Sequence, residues 1–272
     1  TPIGNLEDMT FRAIQTLKEV NWIAAEDTRN TGLLLKHFDI PTKQISFHEH
    51  NAKEKIPDLI DLLKQGQDVA QVSDAGLPSI SDPGHDLVKA AILEDIAVVT
   101  VPGASAGISA LIASGLAPQP HIFYGFLPRK SGQQKQFFES KKDYPETQIF
   151  YESPHRVADT LENMIEVYGD RSVVLVRELT KIYEEYQRGH ITELLDSIAE
   201  TPLKGECLLI VEGASQEVED KDEEDLFAEI QARLQQGIKK NQAIKEVAKI
   251  YKWNKSQLYA AYHEWEDNQF ND

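Results

Sequence analysis

Three short polar runs hold the residue types that general acid–base chemistry and phosphate binding need, and each follows an apolar stretch. They are Glu26-Asp27-Thr28-Arg29 after Trp22–Ala25, Glu152-Ser153-Pro154-His155-Arg156 after Gln148–Tyr151, and Arg177-Glu178-Leu179-Thr180-Lys181 after Val173. Glu26, Asp27, His155 and Glu178 are the groups able to take a proton, and Arg29, Arg156, Arg177 and Lys181 are the cations able to hold phosphate. Taken singly, each carboxylate reads more simply as the partner of its neighbouring arginine or lysine. Together they read as substrate-facing, because acidic and basic residues recur at separate strand ends.

Two further stretches are rich in small residues. Val69–Val72 is a short apolar run that breaks into Ser73-Asp74-Ala75-Gly76-Leu77-Pro78-Ser79-Ile80-Ser81-Asp82-Pro83-Gly84, a loop far longer than the roughly two to six residues of an ordinary βα turn. Pro102-Gly103-Ala104-Ser105-Ala106-Gly107 is the second, with Ser105 placed to cap a helix over Ala106–Ser114. Loops of this kind at the carboxyl ends of parallel strands are where open α/β sheets bind ligands. No Gly-x-Gly fingerprint, P-loop or Gly-x-Ser-x-Gly elbow occurs. His48 and His50 lack the cysteine or HExxH context of a metal site, so no metal is expected.

The elements that must position these residues alternate. Helical spacing at Phe11, Ile14 and Leu17 follows the capping candidates Asp8 and Thr10, and helices are expected at Gly32–Phe38, from Ile56 to Leu63 with Gly66 closing it, and at His85–Glu94. Strands are expected at Trp22–Ala25, Gln44–Phe47, Val69–Val72 and Ala97–Val101, the last read as a buried strand. Such alternation predicts a mostly parallel sheet with crossover helices. After the break at Pro118-Gln119-Pro120 a second α/β unit runs through strands at Ile122, Gln148, Val173 and Leu208–Val211, a basic helix over Ser131–Lys142 and a helix over Val157–Tyr168. The expected organisation is an N-terminal α/β domain over 1–117, a second over 118–214, an acidic linker over 215–225 and a helical domain over 226–272. Thr1-Pro2-Ile3-Gly4-Asn5-Leu6 reads as a loop that should follow a strand, so a strand preceding Thr1 is expected.

Composition narrows the class. The 272 residues carry a net charge of −17, which excludes a protein that coats nucleic acid indiscriminately and confines any such site to a local basic patch. No apolar stretch approaches the roughly 20 residues of a membrane span, no signal peptide is evident, and the lone Cys207 lies in an apolar run, so a cytoplasmic protein is expected. In the C-terminal segment Asn254 and Gln257 are spaced as a capping pair between two short helices. Lysines at 239, 240, 245, 249, 252 and 255 give it a cationic surface, and a helix-turn-helix-like binding module and a packing unit both remain open.

In their order and spacing, the stretches Thr1–Leu6, Ala25–Arg29, Val72–Gly76, Ser81–Gly84, Pro102–Ala106, Phe150–Arg156 and Arg177–Lys181 resemble one family. It is that of the bacterial small-subunit (16S) ribosomal RNA ribose 2′-O-methyltransferases, within the tetrapyrrole methylase superfamily. The resemblance runs to about Gly213, and Leu77-Pro78-Ser79 departs mildly from the family's usual Thr-Pro. It implies two α/β domains with S-adenosyl-L-methionine in the cleft between them, a homodimer, and methyl transfer to a cytidine 2′-hydroxyl of 16S rRNA in the small ribosomal subunit. The cofactor contacts it implies are Pro2, Asp74, Leu77, Ser105, Ala106, Tyr151 and Gly213. Competing readings are a tetrapyrrole or diphthine-type methylase of the same superfamily, which the basic Arg129–Lys142 region disfavours, and a non-enzymatic RNA-binding assembly factor.

Overall fold

The computed structural model describes residues 1–80, 82–215, 221–251 and 253–269. Ser81, Lys252 and residues 216–220 of the expected linker lie outside the described residues. The chain divides into two compact units, Thr1–Ala214 and Ser215–Asp272.

The strands are β1 (Trp22–Ala25), β2 (Lys43–Ser46), β3 (Val69–Val72), β4 (His121–Phe126), β5 (Thr147–Glu152), β6 (Ser172–Arg177), β7 (Glu185–His190) and β8 (Cys207–Val211). The helices are α1 (Phe11–Glu19), α2 (Thr28–His37), α3 (Ala52–Lys64), α4 (Gly84–Leu93), α5 (Ala106–Ser114), α6 (Ser131–Glu139), α7 (Val157–Tyr168) and α8 (Ile191–Glu200), then α9 (Glu223–Gln235), α10 (Lys240–Ile250) and α11 (Lys255–Gln269). Among the described residues no helix is long and apolar enough to cross a membrane.

The first sheet is parallel, in the order β2-β1-β3. Alternation along β1 decides its two faces. Ile23 and Ala25 pack with Leu17 of α1 and Leu35 of α2, while Ala24 packs with Leu59 of α3 and Leu87 of α4. Covered on both sides, the strand must deliver its polar residues at its end, which is where Glu26 and Asp27 stand. Asp27 accepts the backbone N–H of Arg29 at 2.8 Å and caps α2, so that helix begins four residues before the expected Gly32. Thr10, not Asp8, caps α1, accepting from Ala13 N.

One expected strand does not form. Ala97–Thr100 has strand-like composition but is extended, exposed and unpaired, and its β-branched residues stay outside the sheet because strand propensity acts only where a partner strand supplies ladder bonds.

The second sheet has the order β4-β5-β8-β6-β7, with β4 and β5 parallel and the remaining pairs antiparallel. It is therefore mixed, and β7, whose Glu185-Tyr186-Gln187-Arg188 carries no apolar run, escapes a reading based on hydrophobic periodicity. One face packs on α6, α7 and α8 through Phe138, Leu161 and Leu194; the other packs on α5 through Ala110 and Leu111. Helix α5, which chain order assigns to the 1–117 domain, thus belongs by packing to the second sheet. Gly107 makes this approach possible, because a methyl there would lie 3.2 Å from the Phe123 ring. Arg188 fastens the far end, donating to the carbonyls of Ala113 (2.7 Å) and Ser114 (3.0 Å) where the helix dipole favours a cation.

The unit Ser215–Asp272 contains α9–α11 around Leu226, Phe227, Ile244, Val247, Leu258 and Tyr262. Helix α9 begins inside the stretch that composition assigns to the linker. Asp222 caps it, accepting from Asp225 N at 2.9 Å, and the acidic first turn suits a helix N-terminus. Asn254 accepts from Ser256 N and Gln257 N at the start of α11.

Candidate active site

Parallel register sets the first cluster. Ala25 of β1 lies beside Val72 of β3, so the residues after them, Glu26-Asp27 and Ser73-Asp74, leave the sheet at the same edge. Asp74 N donates to Glu26 Oε2 (3.3 Å), Asp27 N donates to Asp74 Oδ1 (3.2 Å), and Asn30 Nδ2 donates to Asp74 Oδ2 (3.0 Å). Arg29 grips Asp27 bidentately at 3.1 and 2.7 Å.

These contacts divide the carboxylates. The Arg29 guanidinium, backed by a backbone N–H, holds Asp27 down to about 2. Glu26 moves the other way. Burial is the main cause, and the charges of Asp74, Asp82 and Asp27 add to it, against the Asp74 N–H that opposes them. Among the described residues Glu26 makes no ion pair, and burial leaves it poised to hold or accept a proton.

Around this cluster the glycine-bearing loops converge. Gly76 N donates to Pro2 O (3.3 Å), and the Thr1 hydroxyl donates to Ser73 O (2.9 Å). Gly76 has φ +76°, and a methyl on it would come 3.2 Å from Ile3 Cγ2 and 3.3 Å from Ala104 O. A methyl on Gly103 would lie 3.8 Å from Leu77 Cδ2. Pro2 and Leu77 are thus brought to the Pro102–Ala104 loop that leads into Ser105 and Ala106, while Asp74 faces the hollow beside Pro2 and Asn30. Ser105 occupies the N-cap position of α5 but makes no side-chain cap bond, contrary to the expected capping role, so its hydroxyl is left for another partner. Tyr151 reaches the same helix start, its raised phenol explained by burial and its hydroxyl within reach of the Gly107 backbone.

Two cavities border the convergence, one of about 390 Å³ beside Ile3, Pro102–Ala104 and Thr180, the other of about 200 Å³ beside Pro2, Asn30, Ser73 and Asp74. Gly213 is not brought to them. Gln148 pairs with Val211 and Tyr151 with Leu208, so Gly213 sits past the opposite end of β5, packed against the backbone of Pro145 and roughly 17 Å from Tyr151 at the usual strand rise.

At the mouth of the second sheet nearly every charge is matched. Arg177 binds Glu185 (3.0 and 2.8 Å). Glu178 accepts from Glu206 N and Lys181 Nζ, both at 2.9 Å, and these donors hold its carboxyl below the ordinary range. Lys181 also reaches Glu206 (3.0 Å). Glu178 and Thr180 both have positive φ, 51° and 66°, and the resulting arch meets the backbone of Gly4, where a methyl would come 2.7 Å from Lys181 Cγ. Arg156 pairs with the fully buried carboxylate of Glu152 (3.3 Å) and donates to Pro128 O (2.7 Å). His155 is exposed.

Of the eight candidates for proton or phosphate chemistry, then, the structure gathers Glu26, Asp27 and Arg29 at one mouth and places Glu178, Arg177 and Lys181 in ion pairs at another. Residue pattern alone passes over two participants. Asn30, which secures Asp74, was legible only as one more polar residue in its run, and Glu152, which also accepts from Ser153 N (2.7 Å) and Thr160 Oγ1 (2.9 Å), is marked only by its place at the end of an apolar strand.

Comparison with known proteins bears on these loops. The profile of the tetrapyrrole (corrin/porphyrin) methylases matches residues 1–195. Over 266 residues the chain is 72% identical to the ribosomal RNA small subunit methyltransferase I of Streptococcus pyogenes serotype M1, covering 97% of this chain and 93% of that one. The protein of the same description from Bacillus subtilis is 48% identical over 270 residues, covering 97% and 92%. Among solved structures, the uroporphyrin-III C-methyltransferase from Thermus thermophilus, complexed with S-adenyl homocysteine, superposes with a TM-score of 0.52 at 17% identity, covering 76% of this chain and 91% of that one. At that identity the likeness concerns the fold alone.

Proposed function

The chain belongs to the tetrapyrrole (corrin/porphyrin) methylase family, and on that premise we propose that it transfers the methyl group of S-adenosylmethionine to the 2′-hydroxyl of a cytidine in small-subunit ribosomal RNA. The observation that carries the reading is the 72% identity to a ribosomal RNA small subunit methyltransferase I over nearly the whole of both chains.

The residues present suit the donor. The larger cavity, about 390 Å³, falls in the range of roughly 300–1,000 Å³ typical of small-ligand sites. It is lined by Pro102–Ala104, the loop that leads into Ser105, and Asp74 borders the smaller cavity beside Pro2 and Asn30. Asp74, Leu77, Ser105, Ala106, Pro2 and Tyr151 are the residues we assign to hold the donor; Gly213 is assigned no contact. When bound, S-adenosylmethionine supplies an electrophilic methyl on a sulfonium.

The protein's work is then to bring a weak nucleophile into line. Holding the hydroxyl and the methyl at attack distance supplies much of the acceleration. A ribose 2′-hydroxyl is barely acidic, so a base within hydrogen-bond reach assists as the new bond forms. Glu26 is our choice for that base, since it is half-buried and free of cations, whereas Asp27 and Glu178 are each held by one. Its raised affinity for a proton makes it a better acceptor than an ordinary carboxylate. Arg29, whose side chain is 89% exposed, is assigned to an RNA phosphate. A homodimer and a cytoplasmic location complete the reading.

The test is incubation of the full-length protein with labelled S-adenosylmethionine and small ribosomal subunits or naked 16S rRNA, followed by mapping of ribose methylation. A single 2′-O-methylated cytidine is expected. Label on protein or on a tetrapyrrole, or none on RNA, would overturn the proposal.

A further inference from the structure

Strand β3 carries one residue out of character. In Val69-Ala70-Gln71-Val72 the glutamine sits mid-strand, paired through the backbone with Ala24 and partly buried, where an amide without partners would be costly. Its partner lies across the long loop. Gln71 Nε2 donates to Asp82 Oδ1 at 2.9 Å. The same carboxylate accepts from Ser79 N (3.0 Å to each oxygen) and from Gly84 N (2.8 Å).

One side chain therefore gathers three donors from a strand, a loop and the first residue of α4. The bond to Gly84 is an Asx-type turn of the sort that Asp-Pro-Gly favours. The bond from Ser79 N closes the turn before it, and the bond from Gln71, eleven residues away on β3, fixes where the loop goes. Ser79 has φ +72°, a left-handed conformation that costs a non-glycine residue on the order of 1 kcal/mol and persists only where the surroundings impose it. The acceptor facing its N–H is what imposes it. Gly84 completes the joint, because a methyl there would meet the Gln71 amide at 2.0–2.6 Å. The glutamine lies directly over a backbone that has no Cβ.

Asp74 and Leu77, assigned above to the methyl donor, stand between the end of β3 and this joint. We propose that Asp82 and Gln71 are positioning residues for methyl transfer, a clamp from β3 across to the start of α4 that holds residues 73–80 in their donor-binding shape. The proposal rests on the reading that this loop binds S-adenosylmethionine. The clamp acts on donor affinity.

The experiment uses the full-length protein, with S-adenosylmethionine binding measured by calorimetry and KM for small-subunit RNA measured alongside. Asp82→Ala is expected to weaken donor binding at least about tenfold, the equivalent of one to two hydrogen bonds, with KM for RNA unchanged. Asp82→Asn, which keeps an oxygen facing Gln71 and Gly84, should recover part of the loss. If Asp82→Ala fails to fold, a gentler cycle decides. Gly84→Ala should displace Gln71 and lose as much donor affinity as Gln71→Ala, roughly threefold or more, yet cost nothing further in the Gln71→Ala background. Donor affinity within twofold of wild type in Asp82→Ala, an equal Gly84→Ala loss in both backgrounds, or a parallel rise in KM for RNA would each overturn the clamp. Failure of the wild-type protein to bind donor would instead overturn the functional reading.

Discussion

The two sheets end in mouths of opposite electrostatic character. At the first, Glu26, Asp27 and Asp74 crowd together with Arg29 as the one cation bonded to them among the described residues, and Glu26 is left with neighbours of its own sign. At the second, Arg177 meets Glu185, Lys181 bridges Glu178 and Glu206, and Arg156 meets Glu152. An uncompensated acid gains nothing for the fold, so its retention points to chemistry, whereas a matched pair can be explained by the architecture alone. The comparison separates residues that look equivalent along the chain.

Removing the acid itself is the severest way to break the contrast. Glu26→Gln is expected to lower kcat about a thousandfold, near 4 kcal/mol, with the fold and RNA affinity preserved. Single-turnover methylation measures this, and a loss below tenfold would remove Glu26 from the chemistry. In the second mouth the corresponding change strikes stability. Glu152→Ala strands the Arg156 guanidinium and the Thr160 hydroxyl beside a vacated buried site, and should cost about 3 kcal/mol in urea unfolding. Gly205→Ala probes the arch more gently. Gly205 has φ +87°, and a methyl would lie 2.3 Å from the Glu178 carboxylate, so a loss of about 2 kcal/mol is expected without a change in donor affinity.

Acidification should separate Glu26 from the paired carboxylates by sign. Glu178 and Asp27 bind protons more weakly folded than unfolded, so their stabilisation is fully present above the ordinary carboxylate pKa and is lost as pH falls through the depressed values, for Asp27 toward about 2. Glu26 is raised, so it favours the folded state when protonated and opposes it once pH climbs through its elevated pKa. Urea unfolding from pH 3 to 7 should therefore show Glu178→Gln flattening the acid loss, and Glu26→Gln relatively more stable than wild type toward neutral pH. The same dependence in both variants would erase the distinction. The smallest effect concerns the arginines. Arg29→Ala should reduce the salt slope of RNA binding by about 0.7–0.9, the value of one phosphate contact, with only the small stability loss of an exposed ion pair to Asp27. Arg156→Ala should do the reverse, since its guanidinium is already spent on Glu152 and Pro128.

Much of this was legible in the chain. Apolar runs ending in polar clusters predicted β1, β3, β5 and β6 with their loops, because a strand covered on both faces can expose chemistry only at its ends. The glycine and proline punctuation marked both loops that we propose to hold the donor, and the order of the motifs identified the family. Residue types alone could not say that Asp27 is a helix cap, since that depends on where α2 starts, or that Ser105 occupies a cap position while leaving its hydroxyl unused.

Ala97–Val101 and Gly213 show what the sequence could not decide. The first has strand composition without a neighbour to pair with; the second follows a strand whose antiparallel register carries it away from the residues proposed to hold the donor. Helix α5 likewise follows the first sheet in the chain and packs on the second. By itself the sequence determined periodicity, punctuation and the inventory of charges, all local properties. Only the tertiary structure decided which charges meet and are neutralised, because Coulomb and hydrogen-bond energies depend on separations of a few ångströms between residues such as Glu178 and Glu206 or Gln71 and Asp82, and distance along the chain does not fix those separations.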